Sequence, residues 1–319
     1  MVIATTGWLW QMVARQPLPC SRQRPAKARV ATITRLGYIT WRVAGLAQRS
    51  AFTGFATTFI MSDLPEGAML KRDYMLSLLD QELATDRFQD YCPNGLQVEG
   101  REQIHRVVSG VTACQALIDA AIVEEADAIL VHHGYFWKGE SQQIRGMKKQ
   151  RLQTLLRHDI NLFAYHLPLD AHPTLGNNAQ LALRLGLTTE GGLDDSPRPI
   201  GNVGRLDSPM SASEFAAHVE AVLGRTPLHI GDPGDEIETV GWCTGGAQGF
   251  IEKAQAKGVD AYLSGEISEP TTHFARETGM HYFACGHHAT ERYGAMALGQ
   301  WLSDHYGIEH TFIDIDNPA

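Results

Sequence analysis

Val108-Ser109-Gly110-Val111-Thr112, then a helix-length interval carrying Leu117-Ile118, then Ala126-Asp127-Ala128-Ile129-Leu130, reads as strand, helix, strand. The same unit comes again as Val240-Gly241-Trp242-Cys243-Thr244, Phe250-Ile251 and Val259-Asp260-Ala261-Tyr262-Leu263. The offset is 132 residues at the threonines and 133 at the aspartates, so one residue has been gained in between. A third strand extends both copies: Leu162-Phe163-Ala164-Tyr165-His166 is matched by Tyr282-Phe283-Ala284-Cys285-Gly286-His287. Strands alternating with helices indicate βαβ units and a largely parallel sheet. The expected fold is therefore α/β: two pseudo-equivalent α/β halves with mostly parallel mixed sheets, helices packed on them, and a shared site between the halves.

Outward from this core, Leu70, Tyr74 and Leu78 recur four apart, and Met75 and Leu79 widen the same stripe, which predicts a helix from Met69 to Leu83. Pro93-Asn94-Gly95 marks a turn. The first half is expected over 69–190 and the second over 238–319. A connecting region, 191–237, is rich in Gly, Pro and Asp and holds a short helix, Ser213–Leu223, capped by Ser211 or Ser213.

Of 27 basic residues, eight fall in 1–60, where no acidic residue occurs; the other 19 face all 36 acidic ones. A body that negative repels a nucleic-acid backbone. Two readings of 1–60 stay open: an acid-free, Arg-rich transit segment, or residues upstream of a working start at Met61 or Met69. Either way it is an extension outside the fold. No run of 18 apolar residues occurs, so no transmembrane helix is expected. Five scattered cysteines without a C-x-x-C pair argue against a disulfide framework and suit the reducing cytoplasm.

Histidine carries the chemistry. His132-His133 follow Ile129-Leu130-Val131 and precede Gly134, at the carboxyl end of a strand, where open α/β sheets gather ligands. Neighbouring strand residues point to opposite faces, so one ion would not easily take both imidazoles if the strand ran on; at a strand end turned by Gly134 they can diverge toward two adjacent ions. Two further clusters also follow apolar strands: Tyr165-His166-Leu167-Pro168-Leu169-Asp170-Ala171-His172 and Gly286-His287-His288-Ala289-Thr290-Glu291. A histidine and a carboxylate four apart at a helix start share one face, as His166 and Asp170 do, and His287 and Glu291. Imidazole nitrogens with carboxylate oxygens suit zinc, iron, manganese or nickel, and disfavour a thiolate site or a calcium cage. Gly245-Gly246 is read as a tight turn. Asn177-Asn178 are turn residues or groups orienting Asp170, and Lys138 and Glu140 are either loop residues or substrate contacts near His133.

Asn94-Gly95-Leu96-Gln97-Val98-Glu99-Gly100, Val131-His132-His133-Gly134-Tyr135-Phe136-Trp137-Lys138-Gly139-Glu140, His166-Leu167-Pro168-Leu169-Asp170-Ala171-His172 and Gly286-His287-His288-Ala289-Thr290-Glu291 stand in this order. Together they resemble the Nif-three-like dinuclear-metal-centre family, whose members are also called GTP cyclohydrolase 1 type 2 homologues. The resemblance covers about residues 69–319 and is closest to the short bacterial form; residues 1–60 have no place in it. It implies two divalent ions per chain on His132, His133, Asp170, His287 and Glu291, with the glutamate bridging, and a toroidal homohexamer with the sites facing its interior.

Two function classes follow. The first is a metal-dependent hydrolase acting on GTP or a related, damaged nucleotide, with His166 as base or proton shuttle. The second is a non-enzymatic hexameric metal-binding scaffold whose partners matter more than turnover. No G-x-S-x-G is present, which argues against acyl transfer.

Overall fold

The computed structural model describes residues 68–319; the expected extension, 1–60, lies outside the described residues. Strand β1 (Leu70–Lys71) leads into helix α1 (Arg72–Leu83), which buries Met75, Leu79 and Leu83. Tyr74, from the expected stripe, faces solvent instead: the helix starts two residues after Leu70, which pairs as a strand with Ile104, so Leu70 does not set the helical phase. Next come β2 (Gly95–Val98), β3 (Gln103–Ile104), β4 (Arg106–Thr112), α2 (Gln115–Val123), β5 (Ala128–His133), α3 (Gly146–His158), β6 (Asn161–Ala164), α4 (Leu167–Asp170) and α5 (Asn177–Leu185). The second sheet's elements are β7 (Leu187–Gly192), β8 (Asn202–Ser211), α6 (Ala212–Leu223), β9 (Leu228–Ile230), β10 (Glu236–Cys243), α7 (Ile251–Lys257), β11 (Ala261–Ser264), α8 (Glu269–Thr278) and β12 (His281–Ala284). Helix α9 (His287–Tyr306) and β13 (Glu309–Phe312) close the chain.

Two sheets carry the fold. One has the order β13-β4-β5-β6-β2, the other β7-β8-β10-β11-β12-β9. In each, three sequential strands run parallel, β4-β5-β6 and β10-β11-β12. The first sheet adds a parallel β13 and an antiparallel β2 and is mostly parallel, as expected; the second adds three antiparallel pairings, through β7, β8 and β9, and is mixed with the antiparallel pairings in the majority. The stretch expected to connect the halves, 191–237, is not a linker: β8, α6 and β9 come from it, and their apolar residues Leu206, Phe215 and Val219 pack in the second sheet's core. Its Gly, Pro and Asp fall partly in the bends at 193–201 and 231–235 and partly inside the ten-residue β8, which holds Gly204, Asp207 and Pro209. The end of the chain also leaves the second half, since β13 pairs in parallel with β4 of the first sheet.

Helices are exchanged between the sheets. Leu181, Ala182 and Leu185 of α5 pack with Trp242, Leu263 and Phe283 in the second sheet's core. Ala295, Leu298 and Leu302 of α9 pack with Val107, Leu130 and Phe163 of the first. The two helices meet where the Gly294 N–H donates to Asn177 Oδ1 at 2.8 Å, and a Cβ on Gly294 would run into that oxygen.

The repeat is real in the ladders. Val107 pairs with Ala128 and Ala128 with Asn161; Val240 pairs with Ala261 and Ala261 with His281. The repeated aspartates do the same work. Asp127 Oδ2 accepts the N–H groups of His105 and Arg106, at 2.7 and 3.0 Å. Asp260 Oδ2 accepts those of Glu238 and Thr239, at 3.1 and 2.8 Å. The strand ends, however, differ from expectation by one residue. Counted along the ladders from Val107 and Val240, Val111 and not Thr112 stands at the level of Thr244. Counted from Asn161 and His281, His166 stands at the level of Gly286 and not His287. Matching letters aligned the side chains, whereas backbone pairing aligns the strands.

Removing either carboxylate strands two backbone donors, and the cost grows with burial. Asp127 is buried and Asp260 exposed. Asp127→Ala should therefore lose roughly 2–3 kcal/mol of stability and Asp260→Ala about 1. Urea unfolding midpoints check this; equal losses, or a larger one at Asp260, would contradict the shared role.

Candidate metal centre

The parallel strands bring their carboxyl ends to one place, and every expected ligand stands at such an end. Strand β5 runs on through His133, with no turn before it. Alternation then sends His132 and His133 different ways. Asp170 lies on α4, which starts directly after His166 with a proline in its first turn. His287 and Glu291 lie on the first turns of α9, which starts right after β12.

Glu291 is the meeting point. Its Oε1 lies 3.5 Å from His132 Nε2, which is itself 3.4 Å from Asp170 Oδ1. Its Oε2 lies 3.3 Å from His133 Nε2 and 3.0 Å from His287 Nε2. Each oxygen thus faces its own group of donors: His132 with Asp170, and His133 with His287. The continuing strand makes this division, because adjacent histidines on opposite faces reach opposite sides of one carboxylate.

The imidazoles are oriented from behind. His132 Nδ1–H donates to the Tyr165 carbonyl at 2.9 Å, and His287 Nδ1–H to Glu266 Oε1 at 2.7 Å. His133 Nδ1 lies 3.3 Å from Thr112 Oγ1. Their Nε2 atoms are left for the centre, as ligating imidazoles require. His166 joins them, its ring centroid 5.1 Å from that of His132, with Nδ1 2.7 Å from Asp90 Oδ1.

Electrostatics shows a site short of cations. Burial opposes a charge on His132, but Asp170 and Glu291 overcome it and hold the imidazolium up to about 9. His287 also reaches about 9, burial being outweighed by its contacts with Glu291 and Glu266. Burial pulls His133 down to about 3, with the neighbouring histidines adding to the effect against Glu291. Glu291 sits well below the usual carboxylate range, because His132 and His133 outweigh the cost of burying it. Burial, with Glu291 nearby, raises Asp170. Even so, His132 Nε2 and Glu291 Oε2 are buried and make no hydrogen bond. Two buried carboxylates against three imidazoles with orphaned nitrogen and oxygen atoms fit divalent cations of the borderline class.

Surrounding residues hold this arrangement. Asn177 Nδ2 donates to Asp170 Oδ1 at 2.9 Å, and Asn178 Nδ2 to the Asp170 carbonyl at 3.1 Å, so the asparagine pair orients the aspartate. The Thr244 N–H donates to Asn178 Oδ1 at 3.0 Å, tying the second sheet's strand end to the first half's helix. Gly245 has φ +68° and a Cβ there would run into Glu291 Oε1, so the expected tight turn also makes room for the shared carboxylate. Its N–H donates to Thr290 Oγ1 at 3.0 Å, not to a ligand.

All six residues expected at the site come together. His172 and His288 do not: the first is held against Glu82 and the second bonds Asp314 Oδ1 at 2.7 Å. Lys138 is exposed, whereas Glu140 lines the cavity over the centre and is paired with Lys148. That cavity measures about 890 Å³. Two residues were not foreseen. Asp90 binds His166 and accepts the Leu167 N–H at 2.9 Å; burial raises its pKa, but His166 and Asn94 outweigh this and hold it at about 2. Its signal was local: Asp90 and Asn94 flank the Pro93 turn and bond each other at 2.9 Å. Arg151, on α3, lines the same cavity and left no motif.

Similarity to known proteins agrees with this geometry. A curated Vibrio cholerae relative named GTP cyclohydrolase 1 type 2 homolog is 58% identical over 245 residues, covering 76% of this chain and 97% of the relative. Among solved structures, a structural-genomics protein, ybgI, described as of unknown function, matches with a TM-score of 0.76 at 53% identity, over 78% of this chain and all of that one. A Thermus thermophilus protein matches with a TM-score of 0.71 at 34% identity, over 78% of this chain and all of the other. The sequence model of Duf34/NIF3 (NGG1p interacting factor 3) covers residues 70–318, and the chain belongs to that family.

Proposed function

We propose that this chain is a dinuclear metal-dependent hydrolase acting on GTP or a related or damaged nucleotide, in the cytoplasm and as a toroidal homohexamer. The observation that carries the reading is Glu291, whose two buried oxygens each face a separate set of nitrogen and oxygen donors. His132 and Asp170 would hold one ion, His133 and His287 the other, and Glu291 both. Ions of this kind supply Lewis acidity and make water nucleophilic at neutral pH. The name of the curated relatives supports the nucleotide class.

The remaining steps belong to the chain. Asp90 fixes His166 Nδ1–H, which leaves His166 Nε2 to take a proton from water or hand one to the departing group. Trp137, whose ring meets His166 edge-on at 4.9 Å, shields that transfer from bulk solvent. Glu266 and the Tyr165 carbonyl keep His287 and His132 in the tautomers that present Nε2 inward. A scaffold role draws support from the family description as an interacting factor. Activity lost in His287→Ala, with partner binding retained, favours the enzyme; unchanged function favours the scaffold.

Metal content per chain tests the shared ligand. Glu291→Ala should lose most of both equivalents, and His133→Ala mainly one; two equivalents retained in Glu291→Ala would overturn the bridging role. Proton release gives a second check. His132 and His287 hold protons up to about 9 in the ion-free centre, so ion uptake must displace them. Apparent affinity should rise as pH climbs from 6 towards 9, with protons released on binding and counted by a pH-indicator dye. A flat profile would contradict the competition.

A further inference from the structure

The cavity over the metal centre has a side that the proposed chemistry does not use. Arg151 lines it, and its Nε–H is buried without an acceptor among the described residues. No carboxylate among those residues lies within ion-pair distance of its guanidinium, although the chain as a whole is acidic. A buried donor without an acceptor costs roughly 1–3 kcal/mol, and more for a charged group. Such a cost is kept where a ligand repays it.

The helix that carries Arg151 has the same character. Gly146–His158 contains Lys148, Lys149, Arg151 and Arg157 and no acidic residue. Met147, in its first turn, also lines the cavity, so the positive end of the helix lies beside it. Glu140, the carboxylate among the described lining residues that does not belong to the candidate centre, is neutralised: Lys148 Nζ lies 3.2 Å from its Oε1, and its Oε2 accepts the Trp137 N–H at 3.1 Å. Among the described residues that line the cavity, Arg151 is the one lysine or arginine, and it has no ion pair. The aromatic side chains of Tyr91, Trp137 and Phe250 line the same cavity, and Trp137 is fixed by its indole N–H donating to the Gly134 carbonyl at 3.2 Å.

We infer that Arg151 is the phosphate-recognising residue of this pocket, which takes a planar heterocycle carrying a phosphoryl group, the ring against the aromatic wall and the phosphate on the guanidinium. A planar fork of N–H donors suits phosphate oxygens, and its charge is never lost at physiological pH. The inference deepens the nucleotide reading above and rests on it for the site, but not for the ions.

Binding of GMP and of guanosine, each by calorimetry to the full chain, tests it. The wild type should bind GMP at least tenfold tighter than guanosine. In Arg151→Gln the preference should fall to within about twofold, with guanosine affinity and metal content unchanged, and Arg151→Lys should keep part of the preference. A tenfold preference surviving in Arg151→Gln would overturn the inference by placing the phosphate elsewhere, on the metal centre included. Equal binding of the two probes by the wild type, or binding of neither, would overturn it as well. Repeating the titrations on chelator-treated protein separates the two readings. If the wild type holds no metal yet loses its GMP preference in Arg151→Gln, the dinuclear reading fails and the arginine assignment stands. Should Arg151→Gln unfold early in a thermal melt, Arg151→Lys alone decides: a GMP preference equal to that of the wild type, or complete loss of preference in a folded protein, would both contradict a graded guanidinium contact.

Discussion

Glu291 places a negative charge where almost none of its surface meets solvent, and the surrounding architecture is arranged to keep it there. Desolvating a carboxylate costs several kcal/mol even after relaxation, and Asp170 adds a second buried acid beside it. The compensation is partly mechanical. Helix α9, which carries Glu291, drives Leu298 and Leu302 into the first sheet's core, fully buried, at about 1.5–3 kcal/mol each. That anchorage is of the same order as the desolvation it opposes, so the helix start cannot swing out to water to relieve the charge. The rest of the compensation is electrostatic, through three imidazoles whose far nitrogens are pinned or approached by polar atoms.

The exchange of helices explains why residues from opposite ends of the sequence meet. Helix α5 leaves the first sheet to pack on the second, α9 does the reverse, and they touch at Gly294 and Asn177. Asn177 thus bonds both the backbone of α9 and the side chain of Asp170. The centre stands at the crossing, held by both halves and owned by neither. The duplication supplies the two sheets, but the one-residue displacement at the strand ends makes their contributions different in kind. Along the ladder Glu266 stands at the level of His133, and it braces His287 where its counterpart points at the centre.

Much of this was legible in the residues. Three histidine clusters after apolar strands located the centre, because parallel strands must bring like ends together. The repeated aspartates were visible as letters, and their bonds to the preceding strand follow from that position. Other features escaped for physical reasons. Tyr74 fell on the expected apolar stripe because Leu70 was counted as the start of a helix, when sheet pairing takes it. The threonine and histidine equivalences failed because identity of side chains does not report backbone register. The stretch 191–237 resembled a linker because the ten-residue β8 itself contains Gly204, Asp207 and Pro209 and the bends at 193–201 and 231–235 add more of the same residues. Asp90 left only the local signal of the turn it shares with Asn94, its partner His166 coming from a distant segment, and Arg151 left none.

Strand β13 has a consequence for how the molecule comes into being. Its pairing with β4 joins Glu309 to Arg106 across a separation of 203 residues. Contacts so distant in sequence are entropically slow to form. Until they form, the first sheet presents the bare edge of β4, a template for pairing with other chains. The strand that seals this edge follows directly on α9, the helix that delivers Glu291. One continuous segment of chain therefore both seals the sheet and delivers Glu291 to the candidate centre. A copy in which this segment has not docked shows an adhesive edge and lacks the shared carboxylate of the candidate centre at the same time.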